Sequence, residues 1–216
     1  MFTEIYKLKN LHKAFKKVQL DNHYKRKVCA FSFFLEENIN RLSWELSRHQ
    51  YTPQAYTYFV VHEPKTRNIA APAFRDRVIQ HSLVAQIQPL FEKQFIYDAY
   101  ACRINKGTHL GAKRLKKFLM AARCVNGKDT PIYALQCDIS KFFQSISWDK
   151  LLAIINRTIK CEETRSLIEK IITTHTRNHH NFSDLKEQLA LFKNNSIYQP
   201  PGINTQKRVG LPIGNL

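Results

Sequence analysis

Acidic residues are scarce in this sequence. Its 216 residues include 17 Asp and Glu against 34 Lys and Arg, which gives a formal charge of +17 and a pI near 9.8. A basic excess of this size is typical of proteins that bind a polyanion. Nucleic acid is the first candidate, and an anionic membrane surface is the second.

Long apolar runs are also missing. No stretch approaches the roughly 18 consecutive apolar residues of a membrane-spanning helix. The N-terminal stretch MFTEIYKLKNLHK lacks the apolar core of a signal peptide. We therefore expect a cytoplasmic protein without a membrane partner.

Cysteine pairs at metal-binding spacing are absent as well. The five cysteines are an odd number, and none of them forms a C-x-x-C pair, which argues against a disulfide framework and a zinc knuckle. We predict reduced, mostly structural thiols. His175, His179 and His180 lie close together in the sequence, but no acid or cysteine stands at ligand spacing, so a metal site there is not favoured.

The sequence does contain enough apolar residues for a core, with 44% hydrophobic and 12% aromatic residues. Its length suits one large domain or two closely packed subdomains. Apolar residues at helical spacing predict helices in the first 50 residues. Residues 56–61 and 67–72 flank a short basic loop and predict a two-stranded ribbon, which Pro72 ends. Further helices are predicted over residues 74–95, 110–122, 148–159 and 162–174, so the predicted fold class is α+β.

Asp138 stands at the end of the apolar stretch IYALQCD (132–138), which predicts a buried strand. An unpaired carboxylate at a strand end is costly to desolvate, and a divalent cation is one way to satisfy it. The alternative is that Asp138 is the N-cap of the turn DISKFF. The residues alone leave both interpretations open.

Four stretches resemble motifs of reverse transcriptases. YALQCDISKFFQSISWDKL resembles the first catalytic motif of the palm, with Asp138 at the strand end and Phe143 five residues later. PKTRNIAAPAFRDRVIQHSL resembles the fingers segment of bacterial reverse transcriptases. YACRINKGTH is similar to the next segment in diversity-generating and related bacterial lineages, and GLPIGNL resembles the next palm motif. The motifs occur in the family's order between residues 56 and 216.

The resemblance implies an RNA-directed DNA polymerase, which transfers deoxynucleotides to a primer under the direction of a template. In that family two Mg²⁺ ions, with Mn²⁺ as an alternative, align the primer hydroxyl with the α-phosphate. Asp138 matches the carboxylate that bridges both ions, and the backbone carbonyl of Ile139 matches a further ligand. The implied partners are an RNA template, a DNA primer or RNA–DNA duplex, and dNTPs.

Further residues match the family's nucleotide site. Lys65 and Arg67 match the cations that hold the triphosphate, although a solvated charged turn is the alternative. Phe143 matches the aromatic gate that excludes a 2′-hydroxyl. Its alternative is a core position, because we expect one of Phe142 and Phe143 to be buried.

The last group of residues matches positions near the template and the nascent base pair. Gly210, Pro212 and Gly214 match the motif whose backbone approaches the nascent base pair closely, which a side chain would obstruct. Arg75 and Arg77 are candidates for contact with the template backbone, and a helix-surface role is equally open.

The resemblance covers the fingers and an incomplete palm, because no Y-x-D-D-type turn or thumb follows GLPIGNL. We therefore expect this chain to be inactive alone, unless a partner chain supplies the rest of the palm. The alternatives are a non-catalytic nucleic-acid-binding module and a phage-defence relative that synthesises DNA without a template. The predicted segments are an N-terminal helical extension (1–50), fingers (51–130), the first part of the palm (131–160), a helical and loop segment (161–209) and the start of the next palm motif (210–216).

Overall fold

The structure is a computed structural model that describes residues 1–20, 22–62, 66–127 and 130–177, together with Leu211. It is rich in helix and has one two-stranded sheet, which confirms the α+β class. In chain order its elements are α1 (Phe2–Tyr6), α2 (Leu8–Gln19), α3 (Arg26–Phe33), α4 (Leu35–Ser47), β1 (Thr57–Val61), β2 (Arg67–Ala71), α5 (Phe74–Glu92), α6 (Thr108–Asn126), α7 (Phe142–Ser145), α8 (Trp148–Thr158) and α9 (Glu162–Arg177).

The chain divides into two compact units. The first unit consists of Met1–Ile87 and Lys141–Leu216, and the second unit consists of Gln88–Ser140. The five segments that the sequence predicts have other boundaries, and they stay predictions.

The core of the first unit lies among its N-terminal helices. Helices α1 and α2 pack on α4, and the apolar residues that recur at helical spacing are the ones that become buried, because that spacing places them on one face. The fully buried side chains include Ile5, Leu11 and Ile39. At the start of α5, Phe74 packs edge to face with Phe15, with ring centroids 6.1 Å apart.

The predicted ribbon is confirmed. Strands β1 and β2 are antiparallel, and Thr57 faces Ala71 while Val61 faces Arg67. Pro72 follows the last residue of β2, where the absence of a backbone N–H removes a donor from the ladder.

The predicted strand over residues 132–138 is wrong. Residues 131–139 have no regular secondary structure, and Tyr133 and Leu135 are 89% and 91% exposed. A strand needs the hydrogen bonds of a neighbouring strand, and the one sheet of the described residues consists of β1 and β2 alone. Residues 132–138 therefore have the apolar pattern of a strand but no neighbouring strand, in the described part of the chain, to form hydrogen bonds with.

The cysteines are free, but the prediction that most of them are structural is wrong. Four of them are exposed, and Cys161 is partly buried. None of the helices in the part of the chain that the structure describes is both long enough and apolar enough to cross a membrane.

Candidate functional site

Asp138 lies in the irregular segment that precedes α7, in the second unit. Its side chain is exposed, and its Oδ1 accepts a hydrogen bond from the backbone N–H of Ile139 at 3.0 Å. Among the described residues, no three His, Cys, Asp or Glu side chains are placed to hold a metal ion together. The Asp138 carboxylate can therefore serve as one anionic ligand of a magnesium ion. The described residues do not provide a complete magnesium site.

Helix α7 is a single turn in the first unit. Lys141 precedes it with a φ of 51°, in the left-handed region that lysine adopts infrequently. No side chain caps the helix. Asp138 is therefore not the N-cap of α7, and its contact is the hydrogen bond from the N–H of Ile139.

Phe142 and Phe143 lie side by side on α7. Their ring centroids are 5.4 Å apart with an interplanar angle of 71°, which is an edge-to-face contact. Phe142 is 49% exposed and Phe143 is 46% exposed, so the expectation that one of them is buried is wrong. In a helix of four residues the rings pack on each other, and each keeps about half of its surface accessible to a ligand.

A backbone hydrogen bond joins two of the motifs. The N–H of Leu211, in GLPIGNL, donates to the carbonyl oxygen of Phe143 at 2.7 Å. Two stretches that are far apart in the sequence are therefore in direct contact in the first unit. The neighbouring candidates Gly210, Pro212 and Gly214 lie outside the described residues.

Arg67 is the first residue of β2 and is exposed. It faces Val61 in the ribbon, so its guanidinium is presented at the loop end of the two strands. This position makes the Arg67 guanidinium accessible to a phosphate group. Its five N–H donors have a geometry that suits phosphate oxygens. Lys65 lies outside the described residues.

Arg75 makes contacts within the first unit. It forms an ion pair with Glu45, and its Nε lies 3.6 Å from Oδ1 of Asp76. Its guanidinium carbon lies 5.7 Å from the ring centroid of Tyr51. The structure thus gives Arg75 protein partners, and its contact with a template stays a prediction.

Arg77 is partly buried on the same helix. Its Nη2 donates to the carbonyl oxygen of Val18 at 3.4 Å, and its guanidinium carbon lies 5.7 Å from the ring centroid of Phe74. Burial lowers the pKa of Arg77. These contacts anchor α5 to the end of α2.

Asp76 is a buried carboxylate, and its burial was not predicted from the sequence. It is 1% exposed, and it accepts hydrogen bonds from the Tyr51 hydroxyl at 2.9 Å and from the Gln54 backbone N–H at 2.8 Å. Burial raises the pKa of Asp76, although both hydrogen bonds oppose that effect. The available signal was its helical spacing, because Asp76 shares a face of α5 with Ile79 and Leu83, both of which are buried.

In the second unit, Arg103 organises the loop before α6. Its Nε donates to Oε1 of Glu92 at 2.6 Å, and its Nη1 donates to the carbonyl oxygens of Ile96 and Ala99 at 2.8 and 3.1 Å. Its guanidinium carbon also lies 5.4 Å from the ring centroid of Phe95. Arg103 belongs to the stretch YACRINKGTH, so this motif has a structural anchor.

A second set of contacts fastens the same loop to α6. Nε of Arg114 donates to Oδ1 of Asp98 at 3.0 Å, and the Tyr100 hydroxyl donates to the same oxygen at 2.6 Å. Desolvation and this hydrogen bond raise the pKa of Tyr100 to about 12. Nζ of Lys106 lies 3.5 Å from the ring centroid of Tyr97, which is a cation–π contact.

Helix α6 has no acidic residue. Its exposed cations are Lys113, Lys116, Lys117 and Arg123. This surface is electrostatically suited to phosphate groups.

Comparisons with known proteins found distant similarities. No family model matches the chain. The chain is 26% identical over 128 residues to Protein YkfC of Escherichia coli (strain K12), and the match covers 59% of this chain and 32% of YkfC. It is 25% identical over 142 residues to Group II intron-encoded protein LtrA of Lactococcus lactis subsp. cremoris, and the match covers 64% of this chain and 22% of LtrA. The chain thus spans about a third or less of the length of the curated relatives that it matches.

Proposed function

We propose that the chain contributes the fingers and the first palm segment of an RNA-directed DNA polymerase. Its substrates would be dNTPs and a DNA primer or RNA–DNA duplex on an RNA template. The similarity to an intron-encoded protein supports a distant relationship to reverse transcriptases. The particular bacterial lineage that the motifs resemble is part of this proposal.

The contact between Leu211 and Phe143 is the structural observation that carries the proposal. It joins the stretches that resemble two successive palm motifs, through a backbone hydrogen bond of 2.7 Å. In the proposed site, Phe143 lies under the sugar of the incoming nucleotide. The glycines that flank Leu211 in sequence approach the nascent base pair.

Asp138 would supply an anionic ligand to Mg²⁺. The bound ions would neutralise charge that develops on the reacting oxygens. The carboxylate is suited to this role because it is exposed, and because, among the described residues, only the backbone N–H of Ile139 donates a hydrogen bond to it, at Oδ1. The backbone carbonyl of Ile139 would supply a further ligand, and the remaining ligands would come from outside the described residues.

The cations have a separate part in the proposal. Arg67 would bind the triphosphate, and the basic surface of α6 would lie near nucleic acid phosphates. With a formal charge of +17, binding to nucleic acid should weaken steeply as salt concentration rises, because each phosphate contact releases counterions.

A non-catalytic nucleic-acid-binding module is the second candidate. The observation in its favour is the exposed basic surface of α6, which is suited to phosphate groups without any reaction. Such a module would share the salt-dependent binding, but it would not extend a primer. Extension therefore distinguishes the two candidates.

The deciding experiment is primer extension by the natural protein that contains this chain, on an RNA template with Mg²⁺. Asp138→Asn should abolish extension, because the amide loses the negative charge that the ions need. Glu37→Gln is the matched control, since it removes an exposed carboxylate from α4. Extension that continues in Asp138→Asn would contradict the proposed role of this carboxylate.

The role of Phe143 is tested separately on α7. Phe143→Val should relax the discrimination against ribonucleotides, because the smaller side chain leaves room for a 2′-hydroxyl. Phe142→Val is the matched control, since its ring has nearly the same exposure on the same helical turn. Equal effects of the two variants on the ratio of dNTP to rNTP use would rule out a specific gate at Phe143.

A further inference from the structure

Cys161 occupies the N-cap position of α9. Its carbonyl oxygen accepts a hydrogen bond from the backbone N–H of Arg165 at 3.1 Å, and the helix begins at the next residue. The helix has 16 residues, and its N-terminus carries a partial positive charge that favours an anion. The thiol is therefore placed where a thiolate is stabilised.

Thr164 provides the second observation at this site. Its side chain is fully buried, and its hydroxyl has no hydrogen-bond partner among the described residues. The hydroxyl and the backbone N–H of Thr164, and the backbone N–H of Phe2, lie near enough to the sulfur of Cys161 to lower the pKa of the thiol. A buried hydroxyl that lacks a hydrogen-bond partner in the described part of the chain thus lies beside a sulfur that two backbone donors also approach.

The charged groups at this site work in opposite directions. Oε2 of Glu163 lies 3.8 Å from the sulfur, and its charge disfavours the thiolate. Nε2 of His49, two residues after the end of α4, lies 3.8 Å from Oε1 of Glu163, and a protonated His49 offsets that charge. Partial burial raises the pKa of the Cys161 thiol, but the donors of Thr164 and Phe2 outweigh it and hold the pKa below its usual range.

The other cysteines have different surroundings. Cys29 lies within α3 and donates to the carbonyl oxygen of His23 at 3.1 Å. Cys102 and Cys137 lie outside helices, and Cys124 lies near the C-terminal end of α6. All four are more exposed than Cys161, so exposure alone would predict that they react first.

We propose that Cys161 is a covalent modification site, a nucleophilic thiolate that hydroperoxides oxidise to a sulfenic acid. The sulfur attacks the terminal peroxide oxygen, an S–O bond forms and the O–O bond breaks. The sulfur is oxidised by two electrons, and the peroxide is reduced. The leaving alkoxide or hydroxide takes a proton from water.

The first test uses the full chain with hydrogen peroxide and with dimedone, which traps sulfenic acids. Peptide mass spectrometry then gives the rate of adduct formation at each cysteine near neutral pH. We expect the adduct to form fastest at Cys161. Thr164→Val, which removes the hydroxyl and keeps the shape, should slow the reaction, and Thr164→Ser, which keeps the hydroxyl, should preserve it.

A second measurement separates thiolate stability from access, and its main comparison uses the wild-type chain alone. The rate of alkylation by iodoacetamide is followed against pH at Cys161, in the folded chain and in the chain unfolded by guanidinium. The pH at which the alkylation rate reaches half of its maximum should be lower in the folded chain than in the unfolded chain. Thr164→Val should raise this pH in the folded chain. The same half-maximal pH in both states, or peroxide labelling that follows the exposure of the five cysteines, would overturn the proposal.

Discussion

The first unit buries Ile5, Ile39 and Ile79 completely, whereas none of the described residues of the second unit is buried. The second unit is fastened by ion pairs and cation–π contacts instead, and the contacts of Arg103 and Arg114 are its main examples. The comparison separates two kinds of interaction that stabilise the units. One is the removal of apolar surface from water, and the other is charge attraction close to solvent.

These two kinds of interaction differ in strength and in their response to salt. Burial of one large apolar side chain contributes roughly 1.5–3 kcal/mol, whereas an exposed ion pair contributes about 0.2–1 kcal/mol. The Debye length falls to about 3 Å at 1 M salt, so exposed pairs are screened and apolar contacts are not. We therefore expect substitutions in the first unit to have larger effects, and salt to act mainly on the second unit.

The largest expected effect comes from Leu42 in α4, which is 2% exposed. Leu42→Ala should lower the free energy of unfolding by about 2–5 kcal/mol, because it removes buried methyl groups and leaves a cavity. Leu135→Ala is the control, since Leu135 is 91% exposed in the second unit and should change stability by no more than about 0.5 kcal/mol. Urea unfolding measures the free energy of unfolding of both variants. Equal losses of stability in Leu42→Ala and Leu135→Ala would contradict the difference in burial between the units.

A smaller effect is expected at Tyr51, whose hydroxyl donates to the buried Asp76. Tyr51→Phe should cost about 1.5–3 kcal/mol, the range for a hydrogen bond to a charged group. Tyr133→Phe removes a hydroxyl from a residue that is 89% exposed, so it serves as the matched control. A cost at Tyr51 no larger than that at Tyr133 would show that the buried carboxylate does not need this donor.

The cost of Tyr51→Phe should also depend on pH. The Tyr51 hydrogen bond stabilises the ionised form of Asp76 and so lowers its pKa, while burial raises that pKa above the ordinary 3.8. Loss of the hydroxyl therefore raises the folded-state pKa of Asp76 further. Asp76 thus has one folded-state pKa in the wild type and a higher one in Tyr51→Phe. The stability difference between the two proteins is fully present at pH values above both of these pKa values, and it shrinks as the pH falls through them. Urea unfolding at a series of pH values measures this trend, and a difference that grows toward low pH would contradict it.

The elements that the sequence predicted correctly are those whose signal is local. The spacing of Ile39, Leu42 and Leu46 contains the information for α4, because one helix face needs only residues three or four positions apart. Residues 132–138 have an equally clear apolar pattern but no strand, because a strand depends on a partner that the local sequence does not contain. The ribbon formed because its two strands are neighbours in the sequence.

In the candidate site, too, contacts between residues that are distant in the sequence could not be predicted. The sequence could not choose between metal binding and capping for Asp138, and the structure shows that its carboxylate does not cap α7. It could not reveal the contact of Phe143 with Leu211, because the motifs are distant along the chain. The burial of Asp76 likewise depends on Tyr51 and Gln54, which precede it by more than twenty residues.

The smallest expected effect is on the attachment of the loop to α6 in the second unit. Arg114 pairs with Asp98 and lies 5.4 and 4.7 Å from the ring centroids of Tyr97 and Phe118. Salt at about 1 M should screen the pair, so the amides at the start of α6 should exchange their hydrogens faster than at low salt. The amides of α4, whose inner face is buried, should respond much less.

Arg114→Gln tests whether this salt response comes from the Arg114 contacts. The variant should exchange faster at low salt and lose most of the further increase at high salt, because the charge that salt screens is already gone. Arg123→Gln is the matched control, since it removes an exposed arginine from the same helix and should keep the salt response of the wild type. Hydrogen exchange with mass spectrometry resolves α6 from α4. If the two helices respond equally to salt, or if both variants behave alike, charge attraction at Arg114 does not hold the loop on α6.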